Sequence, residues 1–117
     1  EMREKIFDMP FAKVYPLLIA KAARKGRSRE EVDRAACWLT GYHPEELTAL
    51  LDTDLTYGEF FLRAPQLHPE RDRIRGVVCG VRVEAVEDPL LREIRRLDKL
   101  VDQLAKGRDL EKMLGGG

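Results

Sequence analysis

The chain is short of the residues that most chemistry uses. It has two cysteines and two histidines in 117 residues. Cys37 and Cys79 do not make a disulfide framework, and in a reducing compartment they are expected as free thiols. Together with His43 and His68 they lie scattered, without Cys-x-x-Cys or His-x-x-x-His spacing, so a zinc site is not expected. A calcium-loop pattern and a P-loop are both missing. The GVVCG stretch has two glycines but not the spacing of a dinucleotide-binding turn. The expectation is therefore no metal and no cofactor. No apolar run approaches the ~20 residues of a membrane span. The N-terminal EMREKIFDMPF lacks the apolar core and small-residue cleavage site of a secretory signal, so a cytoplasmic protein without membrane contact is expected. Excess charge of either sign is also absent: 21 basic residues balance 21 acidic ones. Binding to nucleic acid would have to come from a local patch, because no global field supplies it.

What is present is a sequence for a folded body. Hydrophobic residues make up 44%, which excludes the composition of a disordered chain. The length suits one domain, read here as residues 1–114, with Gly115–Gly117 as a disordered tail. Start and stop signals recur at short intervals. Asp8 can cap a helix that has Pro10 in its first turn, followed by Phe11, Val14, Tyr15, Leu18 and Ala22 at spacings of three and four. Pro16 makes this either a kinked helix or a turn followed by a helix. Gly26 closes it. Ser28 and Glu31 form a capping box ahead of Val32, Ala35, Ala36 and Leu39. His43-Pro44 opens a short helix with Leu47, Leu50 and Leu51, and Thr56 with Glu59 resembles another capping box before Phe60, Phe61 and Leu62. Asp88-Pro89 starts the strongest helix, which runs from Pro89 to about Lys106 with Leu90, Ile94, Leu97, Val101 and Leu104 on one face. Core packing is preferred to a dimer seam for that face. Leu110–Leu114 adds one or two turns.

The stretch from Pro69 to Gly80 fits two periods. Ile74, Val77, Val78 and Val81 suit a helix; Val77, Cys79, Val81 and Val83 suit a strand. A lone strand needs a partner, and no second convincing one is visible. A short helix ending near Gly80, followed by an extended connector, is preferred, with Gly76 and Gly80 on one helix face. The fold class is thus all-α: a compact single domain of five or six short helices with one longer C-terminal helix, and a possible extended segment around residues 77–86.

Four blocks together, FAKVYPLLIAKAARKGR, WLTGY, GVVCGVRVE and EDPLLREIRRLDKLVDQLAKG, resemble the small bacterial proteins grouped as domain of unknown function 2200. The resemblance covers about Arg3 to Leu114. One departure is Arg96, where the family pattern would set an aromatic. The resemblance implies a mainly helical bacterial cytosolic protein. It implies no reaction, and it carries over no catalytic or binding residue.

Cys79 sits among valines, as a small buried hydrophobe does, although Arg75 and Arg82 could stabilise a thiolate and the fold could bring His68 near. Cys37, beside Trp38, reads as core. Glu84, Glu87 and Asp88 are explained by capping and solvation. Lys21, Arg24, Lys25, Arg27 and Arg29 crowd the turn between two helices, the outline of a helix-turn-helix, and could meet phosphates. Against that, Glu30, Glu31 and Asp33 follow on the second helix. Arg92, Arg95, Arg96 and Lys99 form a stripe on the long helix that reads as a solvated face, with Asp98 and Asp102 as ion-pair partners. The leading function is a non-enzymatic module binding a macromolecular partner, a protein before anything else, or associating with itself. Nucleic-acid binding through Lys21–Arg29 is second. A thiol enzyme at Cys79 is third.

Overall fold

Helix boundaries in this chain follow its capping residues. A computed structural model of the chain describes residues 5–115. Ser28 Oγ accepts from Glu31 N at 3.2 Å while the Glu31 carboxylate accepts from Ser28 N at 3.1 Å, which opens α3 (Arg29–Thr40). Thr56 and Glu59 close the same reciprocal pair at 3.1 and 2.9 Å, and α5 (Tyr57–Leu62) follows. Asp88 Oδ1 accepts from the amides of Leu90 and Leu91, and α6 (Pro89–Ala105) begins at its proline. Each of these side chains satisfies an amide that the first helical turn would leave bare. The remaining helices are α1 (Lys5–Asp8), α2 (Phe11–Ala23), α4 (Pro44–Leu50) and α7 (Leu110–Met113). The protein is therefore mostly helical, with one long helix near its C-terminal end. Two four-residue helices, α1 and α7, bring the total among the described residues to seven. No helix among them is long and apolar enough to cross a membrane.

The start of α2 departs from expectation. Asp8 ends α1, and Pro10, not Asp8, stands at the N-cap of α2 without a side-chain capping bond. The reason is a backbone partner from far along the chain. Phe11 N donates to Leu55 O at 2.8 Å, and Tyr57 N to Met9 O at 2.7 Å, across a bridge between Pro10 and Thr56. Pro16 lies inside α2 on its exposed side, and the helix continues through it.

The segment 74–86 is a hairpin, which corrects the expectation of a helix ending near Gly80. β1 (Val77–Val78) pairs antiparallel with β2 (Val81–Arg82), in the register Val77 with Arg82 and Val78 with Val81. The partner that a strand needs is its own continuation. Cys79 and Gly80 form the two-residue turn, with φ of 52° and 77°. Two successive positive φ angles suit a type I′ hairpin and are closed to a right-handed helix. Gly76 and Gly80 consequently share no helix face. The hairpin is tied down by Val83 N to Gly76 O at 2.9 Å, by Gly76 N to Glu84 Oε1 at 2.9 Å, and by Lys99 Nζ to Val77 O at 2.9 Å.

The core forms where α6 packs on α2, α3 and α5. Ile94, Leu97, Leu100, Val101 and Leu104 are at most 1% exposed. Burying side chains of this size contributes about 1.5–3 kcal/mol each. Aromatic rings fill the adjoining space: Phe11 stacks on Phe60 at 4.4 Å and on Tyr15 at 5.0 Å, and Tyr42 stacks on Phe60 at 4.7 Å. The basic stripe of α6 is not the solvated face it was read as. Arg96 is 7% exposed, and the side chains of Arg95 and Lys99 are 23% and 13% exposed. The connector 71–86 folds over that side of the helix and takes its donors: Lys99 reaches Val77 O and Arg92 reaches Val86 O. The tail expectation falls mainly on Gly116 and Gly117, which lie outside the described residues.

Candidate functional site

The basic turn between α2 and α3 is built by a left-handed Gly26 (φ 78°), with Arg27 N returning to Ala22 O at 3.0 Å. Its five predicted residues take different places. Arg27 is drawn inward. Its Nη1 donates to the carbonyls of Leu104 and Arg108, both at 2.8 Å, and its Nε and Nη2 pair with Glu31 at 3.0 and 2.6 Å. Arg29 pairs with Asp33 at 3.4 Å and donates to Thr48 at 3.1 Å. Lys21 lies 3.5 Å from Asp102, which Lys106 also approaches at 3.1 Å. Arg24 and Lys25 are exposed and share a shallow cleft with Lys21 and Lys106. Of the five, Arg24 and Lys25 have no ion-pair partner among the described residues.

Cys79 is exposed at the hairpin tip, which corrects its reading as a buried packing thiol. Small size and apolar neighbours in sequence suggested burial; a turn position overrides both. Cys37 is half-buried, and burial, helped by the charge of Asp33, pushes its thiol up to about 11. His68 stacks on Trp38, centroids 4.0 Å apart, and its Nδ1 accepts from Glu70 N at 3.0 Å. Asp88 serves as a cap, and Glu84 accepts from Gly76 N and pairs with Arg82 at 3.4 Å.

A groove that the sequence did not reveal runs between the end of α5 and the start of α6. It encloses about 430 Å³. Phe61 forms part of its floor at 3% exposure, while Leu62 stands beside it at 70%. Leu67 and Leu90, both half-buried, line its sides. Arg71, Asp88 and Glu93 supply the polar rim. Glu93 is buried, and its Oε2 accepts from Arg71 Nε and Arg96 Nη1, each at 2.9 Å. Its Oε1 has no hydrogen-bond partner among the described residues.

The family model described as "Uncharacterized protein conserved in bacteria (DUF2200)" matches residues 5–115. The chain belongs to the DUF2200 family. It is also similar to a solved structure, "Crystal structure of uncharacterized protein SP1917", at 52% sequence identity and a TM-score of 0.93. That match covers 98% of this chain and 94% of the other. A search of curated proteins gave no match. In this DUF2200 chain, Arg96 occupies a buried position on α6, where the family pattern suggested an aromatic, and Glu93 compensates its charge. The groove residues escaped the sequence because Leu62, Leu67 and Leu90 come from three segments with no fixed spacing. The one local clue was three large apolar residues in a row, Phe60–Leu62, of which a short helix cannot bury all.

Proposed function

We propose that this DUF2200 protein is a non-enzymatic cytoplasmic module that binds a protein partner in the groove between α5 and α6. The observation that carries the reading is Leu62, 70% exposed beside a concave apolar floor. An exposed apolar patch with a polar rim is the usual form of a protein-binding site. The fitting partner is a segment with an aliphatic side chain for the space between Leu62, Leu67 and Leu90. A lysine or arginine next to it would meet the carboxylate of Asp88. A photo-crosslinking residue placed at Leu62 should capture one discrete protein partner in cells. Leu62→Asp and Leu90→Asp, with unchanged circular dichroism, should abolish binding of that purified partner. If position 62 gives no discrete adduct and both variants behave as wild type, the reading fails. The second reading, nucleic acid at the Lys21–Arg29 turn, is favoured by the exposed Arg24 and Lys25 beside Lys106. It requires a mobility shift that weakens steeply with salt and is lost in Arg24→Ser/Lys25→Ser.

A further inference from the structure

Three stretches far apart in sequence meet over the middle of α6. Trp38 comes from α3, Arg73 to Arg75 from the connector, and Arg108 to Met113 from the chain around α7. They enclose a pocket of about 190 Å³. Its floor is apolar, with Ile74 and Leu100 6% and 1% exposed. Among the described residues its walls carry four cations, Arg73, Arg75, Arg108 and Lys112, and no carboxylate.

Three of the four acids nearby have stronger partners elsewhere, and the fourth pairs with a pocket cation. Glu111 pairs with Arg34 at 2.6 Å, and Asp109 caps α7 through Lys112 N at 3.3 Å. Glu84 serves Gly76 N and Arg82, and reaches Arg75 only at 4.0 Å. Glu70 does pair with Arg73 at 2.9 Å, but both side chains are more than half exposed, and such a pair is weak and easily exchanged. Arg108 and Lys112 form no ion pair among the described residues, although the Arg108 backbone is fixed by Arg27 at its carbonyl. Arg108 and Lys112, without ion pairs among the described residues, and Arg73 and Arg75, with weak ones, repel one another unless an anion lies between them.

We infer that this pocket binds a small phosphate-bearing ligand, of the size of pyrophosphate or a low-mass phosphate ester. Planar guanidinium forks match phosphate oxygens two at a time, and three of the four cations are arginines. Lys112 adds a point charge and the Gln103 amide a neutral donor. The half-buried indole of Trp38 offers a flat apolar wall to the uncharged part of an ester. A volume below the ~300 Å³ at which drug-sized sites begin sets the upper limit on the ligand.

Trp38 is the only tryptophan in the chain, so its emission reports on this pocket. The purified protein is titrated with inorganic pyrophosphate, inorganic phosphate and potassium sulfate at constant ionic strength, by tryptophan fluorescence and by calorimetry. The expected result is saturable binding of pyrophosphate. Arg108→Ser/Lys112→Ser, whose side chains are exposed and whose thermal melt should match wild type, should bind it at least about tenfold more weakly. Arg24→Ser/Lys25→Ser should bind it as wild type does. Equal affinity for sulfate and pyrophosphate, or an unchanged affinity in Arg108→Ser/Lys112→Ser, would overturn the proposal. So would the absence of both heat and emission change up to about 10 mM pyrophosphate, a concentration beyond that of specific sites. Binding to phosphatidic-acid vesicles without a response to pyrophosphate would assign these cations to a membrane surface, and would also overturn it.

Discussion

Cys79 holds a left-handed backbone at the first corner of the hairpin turn, with φ 52°. That slot in a type I′ turn is most often asparagine or aspartate before glycine. Here the pair is Cys-Gly, so the strongest short-range hairpin mark was absent, and the valines fitted both periods equally. A side chain at a turn corner points to solvent whatever its own polarity, and the thiol is exposed accordingly. The two cysteines should therefore separate cleanly in reactivity. Burial holds the Cys37 thiol near a pKa of about 11, so only about one part in a thousand is thiolate near pH 8. With iodoacetamide near that pH, peptide mass spectrometry should find Cys79 alkylated first and Cys37 at least about tenfold slower. Comparable rates at the two sites would contradict the exposed turn.

The elements that were legible are those whose signals lie within four residues. Ser28 with Glu31, Thr56 with Glu59, and Asp88 with Pro89 all start helices where the sequence placed them. Apart from the hairpin, whose turn lacked its usual residues, the misses depend on distant partners: Leu55 O for the start of α2, and the connector 71–86 for the basic side of α6. Glu31 has local partners, Ser28 and Arg27, and through Arg27 it steadies a contact to the carbonyls of Leu104 and Arg108. The paired bonds from Arg27 hold it down to about 2, and those from Ser28 help against the opposing effect of burial. A carboxyl whose folded pKa lies below its ordinary value of about 4.3 contributes stability that is complete above that value. The contribution fades as pH falls through the folded value. Glu31→Gln keeps an acceptor for Ser28 N but loses the ion pair with Arg27, and should thus cost about 1 kcal/mol near neutral pH. Thermal melts should show that penalty shrinking between about pH 4 and pH 2. A penalty constant over that range would mean the charge is not its source.

At the scale of the whole molecule, the apolar periodicity of α2, α3 and α6 was enough to place the core, since a helix buries its own stripe. It could not place the connector against α6. Glu93 makes that junction, accepting from Arg71 on the connector and Arg96 on its own helix, with its side chain and that of Arg96 no more than 10% exposed. Removing one member of a buried ionic group leaves the others desolvated and unpaired. Glu93→Ala should lower unfolding free energy by about 3 kcal/mol in urea denaturation. An exposed change such as Glu87→Ala should stay within about 0.5 kcal/mol. A loss below about 1 kcal/mol at Glu93 would show that the connector is held by its hairpin alone. The cationic pocket and the apolar groove belong to this scale too. Positions 38, 73, 75, 108 and 112 form no motif in a linear sequence, and only the closed fold brings them together.

Arg27 reaches forward to the carbonyls of Leu104 and Arg108, and the apolar rows of α2, α3 and α5 all close on α6. A ribosome makes those rows first and their cover last. While α6 is still in the exit tunnel, α2 and α3 lack the helix on which they close, although Phe11 can already stack on Phe60 of α5. The early helices stay only partly packed until α6 has emerged, so closure of the body is set by the arrival of that one helix.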